Sequence, residues 1–223
     1  MSYFYTSSVW QDLNAARYLS DNSSFDKALA LKAWRFMLPA DIELTSAFEY
    51  GCHIGRNLDY LTSLFPGLST SGFDIYKQAL DQASLNPSLS TSNLIHADLY
   101  GFIQDHSPSL PQPDLVFTCS FLNALPHSDS LAALHSLYKL SSRYILIVEY
   151  HSRKPSAVSY REFGDVVFKA DYARILLNLY GSKLEILHHG FLWGHLYDEA
   201  GYDDMNFTLF EKNNTQHSSH SQS

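Results

Sequence analysis

Acids and glycines cluster in the stretch Thr45-Ser-Ala-Phe-Glu-Tyr-Gly-Cys-His-Ile-Gly-Arg-Asn-Leu-Asp59, in the order acid-x-Gly-x-x-x-Gly from Glu49 to Gly55. Gly51 and Gly55 can adopt backbone angles that a β-carbon forbids, so a ligand can touch main chain there, and the amides opening the next helix bring its positive dipole end. Asp74 follows Gly55 by 19 residues, about the interval at which nucleotide-binding α/β folds place an acid on ribose. Asp98 can accept from an exocyclic adenine amine. These types and intervals point to a ligand bearing a nucleoside.

Such acids need strand ends to hold them. Residues 46–50 read as a first strand, and Asn57 to Phe65 as a helix with Leu58, Leu61, Leu64 and Phe65 on one face. Gly72 to Ile75 and Leu94 to Asp98 read as strands two and three, separated by a helix from about Lys77 to Leu85. Strand–helix units in succession imply parallel pairing. Pro108, Pro111 and Pro113 mark a loop, then Asp114 to Cys119 reads as strand four and Leu131 to Leu140 as a helix. Tyr144-Ile-Leu-Ile-Val-Glu-Tyr150 is the most apolar strand, expected to be central and buried on both faces. An insertion at about 151–170 follows, then a helix from Asp171 to Tyr180. Lys183 to His189 and Asn206 to Glu211 read as a last antiparallel pair at the sheet edge.

Ahead of the first strand, residues 1–44 are expected to form a helical cap over the site. They comprise a weakly amphipathic start and a helix capped by Ser24, with Asp26 near its beginning and Pro39 at its end. Residues 213–223 lack apolar side chains and are expected to be disordered, with no metal bound at His217 and His220.

Composition narrows the function. A chain of 223 residues with 45% hydrophobic content suits one domain with a full core. No stretch approaches the roughly 18 apolar residues that span a bilayer, and the first ten residues show no signal core, so a soluble, cytoplasmic protein is expected. Two cysteines, neither in a Cys-x-x-Cys pair, argue against a disulfide framework or structural zinc. A net charge of -8 argues against nucleic acid as partner, because backbone affinity comes from clustered cations.

The acid-x-Gly-x-x-x-Gly order resembles the first motif of class I S-adenosylmethionine-dependent methyltransferases, with His53 where that pattern has its middle glycine. Cys119-Ser-Phe-Leu-Asn-Ala-Leu-Pro126 resembles the fourth motif without being the Asp/Asn-Pro-Pro-Tyr type, which favours a small-molecule acceptor. The resemblance covers about residues 45–212. It implies a Rossmann-like, seven-stranded, mostly parallel sheet with an antiparallel last strand and helices on both faces. It also implies S-adenosyl-L-methionine held by Glu49, Gly51, Cys52, His53, Gly55, Asn57, Asp74, Ile75, Asp98, Leu99 and Cys119.

A closer likeness lies in Tyr144 to Pro155, Ser159 to Asp171, His189-Gly-Phe-Leu-Trp193 and Asp203-Asp204. These look like the pseudaminic acid biosynthesis-associated methylases, which implies a sugar-derived acceptor such as an acidic nonulosonic sugar. Tyr150, Tyr160, Arg161, Asp165, Lys169 and Trp193 are the expected acceptor-binding residues, since a bidentate Arg suits a carboxylate or phosphate and rings stack on sugars. Methyl transfer from a sulfonium is an in-line displacement in which positioning supplies most of the rate. Where the acceptor needs a base, the candidates are His151, Glu149, His195 and Asp165, with His151 favoured by place and unperturbed pKa. The expected assembly is a monomer or weak dimer. Two other readings are a nicotinamide-dependent oxidoreductase, which would use the same acid, and a catalytically silent cofactor-binding regulatory protein.

Overall fold

The computed structural model describes Trp10, residues 24–160 and residues 164–213. Arg161, most of the expected N-terminal amphipathic segment and nearly all of the expected disordered tail lie outside the described residues.

Helix α1 (Lys27–Met37) turns Ala30, Ala33, Trp34 and Met37 inward at helical spacing. Its cap is Asp26, whose carboxylate accepts from the Leu29 amide at 3.0 Å, so Ser24 is not the cap. There follow β1 (Ser46–Tyr50), α2 (Arg56–Leu64), β2 (Ser69–Asp74), α3 (Lys77–Ala83), β3 (Asn93–His96) and β4 (Leu115–Cys119). Then come α4 (His127–Leu140), β5 (Tyr144–Glu149), β6 (Ser156–Ser159), β7 (Asp165–Lys169), α5 (Tyr172–Tyr180), β8 (Leu184–Leu192) and β9 (Met205–Lys212).

Seven strands form one sheet in the order β3-β2-β1-β4-β5-β9-β8. Strands β1 to β5 pair in parallel, and β9 runs antiparallel to both β5 and β8. This is the expected Rossmann-like class. β5 is buried along its whole length, but the centre of the sheet is β4, because β9 inserts between β5 and the edge strand β8. Apolar content reports burial on both faces, which any interior strand has, and not rank within the sheet.

Side-chain alternation divides the core into two layers. Ala47, Leu115, Phe117, Leu146 and Val148 pack beneath α1, α2 and α3 through Trp34, Leu58, Leu61 and Leu80. Phe48, Val116, Ile145 and Ile147 pack on α4 and α5 through Leu134, Leu137 and Leu176. Thus α1, expected as part of a cap, belongs to a core layer: its Trp34 is fully buried. The insertion after β5 is not an open loop, because β6 and β7 pair as an antiparallel hairpin of their own. No helix among the described residues is long and apolar enough to cross a membrane.

Candidate active site

Three left-handed residues fall within five positions after β1: Gly51 at φ 70°, His53 at 48° and Gly55 at 72°. A Cβ on Gly51 would stand 2.5 Å from the Phe121 ring, and one on Gly55 2.4 Å from Leu89. His53 tolerates the strained backbone because its amide donates to Asp74 Oδ2 at 2.8 Å and its ring stacks against Tyr76, centroids 6.0 Å apart. The ring therefore forms wall rather than plug.

Glu49 ends β1 fully enclosed, and a directed chain of hydrogen bonds decides which oxygen is left over. An indole can only donate, so Trp34 Nε1 gives to the Tyr202 hydroxyl at 2.7 Å. Tyr202 then gives to Asn57 Oδ1 at 2.9 Å, and Asn57 Nδ2 gives to Glu49 Oε1 at 2.7 Å. Glu49 Oε2 is buried with no partner among the described residues, and so is Arg56 Nη1. Burial pushes the Glu49 carboxyl up to about 8, against the Asn57 hydrogen bond and the Arg56 charge. Arg56 packs its guanidinium over the Phe25 ring at 4.2 Å.

Asp74 ends β2 as a staple. Its Oδ1 accepts from the Tyr76 amide at 2.7 Å, and its Oδ2 from His53, leaving each oxygen a second lone pair. Burial raises it to about 6 against those two amides. Asp98 caps the helical turn Leu99–Gly101 by accepting from the Gly101 amide at 2.7 Å. Burial pushes the thiols of Cys52 and Cys119 up, so both are protonated lining groups and not nucleophiles.

These groups share one cleft of about 470 Å³ at the C-terminal ends of β1, β2, β4 and β5, roofed by Trp10 and the β6–β7 hairpin. Of the expected cofactor residues, Glu49, Gly51, Cys52, His53, Asn57, Asp74, Ile75, Asp98, Leu99 and Cys119 line it. Gly55 stands behind, shaping the turn. Of the expected acceptor-binding residues, Tyr150, Tyr160 and Lys169 line the cleft too.

The expected bases lie elsewhere. Glu149 is buried off the wall with its oxygens engaged: Oε1 accepts from the Phe121 and Leu122 amides, each at 2.9 Å, and Oε2 from the Asn123 amide at 3.2 Å. It locks the turn after β4 and is not on the cleft wall. His151 is exposed just past β5, and His195 is exposed with its ring against Trp193 at 4.9 Å. Trp193 is itself 51% exposed, and none of the three is on the wall. Asp165 accepts from Ser159 Oγ at 2.6 Å, and of the two only Ser159 lines the cleft. Position just after a strand does not say where a side chain points.

Arg56, Tyr76, Ser120, Asn123 and Asp203 line the cleft without having been expected, and Trp10, from the segment expected to cover the site, lines it too. Only Arg56 carried a sequence signal. A cation in a helix's first turn opposes the dipole, so its place right after Gly55 needs another reason.

The comparisons with known proteins bear on the fold. No family model and no curated protein matches the chain. Among solved structures, the plantazolicin methyltransferase BpumL in complex with SAH matches with TM-score 0.63 at 14% identity, covering 94% of each chain. The chain shares that methyltransferase's fold. A DhpI–SAM–HEP complex matches with TM-score 0.66 at 14% identity over 94% of this chain and 99% of that one. Magnesium protoporphyrin IX methyltransferase (ChlM) from Synechocystis PCC 6803 with bound SAM matches with TM-score 0.54 at 15% identity over 83% of this chain and 76% of that one. Names as different as plantazolicin and protoporphyrin on one architecture show the fold and not a substrate.

Proposed function

We propose that the protein is an S-adenosylmethionine-dependent methyltransferase acting on a small, sugar-derived acceptor. The observation that carries the first half is the pair of buried, unpartnered polar atoms in one cleft, Glu49 Oε2 and Arg56 Nη1. One is an acceptor for an ammonium and the other a donor for a carboxylate, the two ends of an amino acid. Leaving both unmet is costly, and such groups await a ligand. Glu49, Arg56 and the glycine turn would hold the amino-acid end, Asp74 the ribose hydroxyls, and Asp98 with Leu99 the adenine. When bound, S-adenosylmethionine supplies a methyl group open to in-line displacement.

The chain's own contribution is placement. Ser120, held at φ 58°, takes a hydrogen bond on Oγ from Asn123 Nδ2 at 3.0 Å, and Glu149 fixes the three amides that follow Ser120. That turn presents a fixed wall to the acceptor. His53 is the one histidine on the described wall, and burial, aided by Arg56, holds it down to about 4, so its ring is neutral at pH 7. With Glu49 and Asp74 committed to the cofactor, no tuned base is left for the acceptor, which suits an acceptor atom that is already nucleophilic.

The sugar half rests on the likeness of residues 144–204 to the pseudaminic acid-associated methylases and on Tyr150, Tyr160 and Trp10 at the acceptor end, rings on which a sugar can stack. Calorimetric titration with S-adenosylhomocysteine and with NADH tests the cofactor: micromolar binding of the first alone is expected. NADH binding with no response to S-adenosylhomocysteine would overturn the reading. Mass spectrometry of a sugar-nucleotide and acidic-sugar panel for gain of a methyl group tests the acceptor, and binding without turnover across it would favour a silent regulatory protein.

A further inference from the structure

The acceptor end of the cleft carries one charge of each sign, and hydrogen bonding commits only one of them. Asp203 lies on the wall just ahead of β9. Its Oδ2 accepts from the Tyr150 hydroxyl at 3.2 Å and its Oδ1 from the Asp204 amide at 2.8 Å. The acid is occupied with holding a ring. Burial, reinforced by Asp203, pushes the Tyr150 phenol up, so the hydroxyl keeps its proton and remains the donor.

Lys169, the last residue of β7, is half-buried and places Nζ 5.0 Å from the centroid of that same Tyr150 ring. A ring face attracts an ammonium by roughly 0.5–2 kcal/mol but offers no lone pair to its three N–H groups. The ion pairs among the described residues involve Lys27, Lys77, Arg143 and Arg174, and no carboxylate or carbonyl oxygen of the described residues is bonded to Lys169. Phe121, Leu125, Val158 and Val167 add apolar surface to the same cleft wall. A cation steadied on a ring face in the cleft, with no ion pair to it among the described residues, can dock an anion.

We propose that Lys169, steadied on the Tyr150 ring that Asp203 anchors, docks a carboxylate of the methyl acceptor. A carboxylate is favoured over a phosphate monoester because one uncommitted cation balances one negative charge. The inference rests on the methyltransferase reading for the word acceptor, while the sign of the ligand's charge stands on Lys169 alone.

The test is calorimetric titration of the full chain, with and without saturating S-adenosylhomocysteine, using two acid–ester pairs: N-acetylneuraminic acid with its methyl ester, and benzoic acid with methyl benzoate. Inorganic phosphate serves as a competitor. The wild-type protein is expected to prefer the acid by about tenfold or more in at least one pair. Lys169→Met, which keeps the stem, should bring acid and ester to parity, and Lys169→Arg should keep the preference. Asp203→Ala should weaken the acid without changing the ester, a split that general loosening would not produce. Equal binding of acid and ester in the wild type, a preference that survives Lys169→Met, or failure of both acids to bind would overturn the proposal. Phosphate competing more strongly than either acid would overturn the choice of carboxylate. Acid preference by the benzoate pair alone would remove the sugar reading and keep Lys169, and acid preference with no response to S-adenosylhomocysteine would remove the methyltransferase reading and keep it too.

Discussion

Gly51 has a left-handed backbone and no room for a side chain, since a Cβ would enter the Phe121 ring at 2.5 Å. Gly51→Val is therefore expected to weaken S-adenosylhomocysteine binding at least tenfold, about 1.4 kcal/mol, because the turn must open and Phe121 must move. Titration of a variant that keeps its circular dichroism spectrum checks this, and unchanged affinity would remove the turn from the cofactor site. The same residue scale shows what spacing can reveal. Glu49, Gly51 and Asp74 were readable because each lies at a fixed interval from a strand end, where backbone geometry leaves few directions. His151 and His195 have the residue type of a base, His151 just past a strand end, and neither is on the cleft wall.

Elements in this fold are joined by polar side chains that the core encloses. Trp34 on α1, Tyr202 before β9, Asn57 on α2 and Glu49 on β1 form one directed chain. Tyr202→Phe removes its middle, leaving the Trp34 N–H and Asn57 Oδ1 without partners in a dry interior. A loss of roughly 2 kcal/mol of stability is expected, measured by urea denaturation, with weaker S-adenosylhomocysteine binding as Asn57 loses its fixed orientation. Glu149 plays the corresponding part between β5 and the turn after β4. Glu149→Ala strands three amides and should cost about 3 kcal/mol or more, while Glu149→Gln, which retains an acceptor oxygen, should restore part of it. If Glu149 were the general base, Glu149→Gln would abolish turnover in a folded protein and remove a limb from the pH–rate profile. The expected outcome is an altered rate with the profile's shape retained.

Across the whole molecule, burial pushes three carboxyls in one direction: Glu49 to about 8, Glu149 to about 7 and Asp74 to about 6. The folded chain then holds protons that the unfolded chain has released, so these groups favour folding at low pH and lose that contribution as pH rises through those values. His53, held down to about 4 from 6.5, acts oppositely, but only below about 6.5, where the unfolded histidine takes up its proton. The melting temperature of the ligand-free protein is thus expected to fall from pH 6.5 to 8, and Glu49→Gln should flatten the slope near pH 8. A scan of melting temperature against pH checks the sign. Saturating S-adenosylhomocysteine should reduce the fall, since its ammonium favours the Glu49 carboxylate. The sequence by itself determined the order of strands and helices, the parallel core and the acids at its strand ends, because these follow from side-chain periodicity and from turns a few residues long. Only the tertiary structure decided that Trp34 and Tyr202, 168 residues apart, orient the amide beside Glu49, that Glu149 holds a turn, and that Lys169 faces the cleft while Asp165 does not. Hydrogen bonds and desolvation act over a few ångströms of space, and neither the chain's periodicity nor its spacing encodes which distant segments will be brought that close.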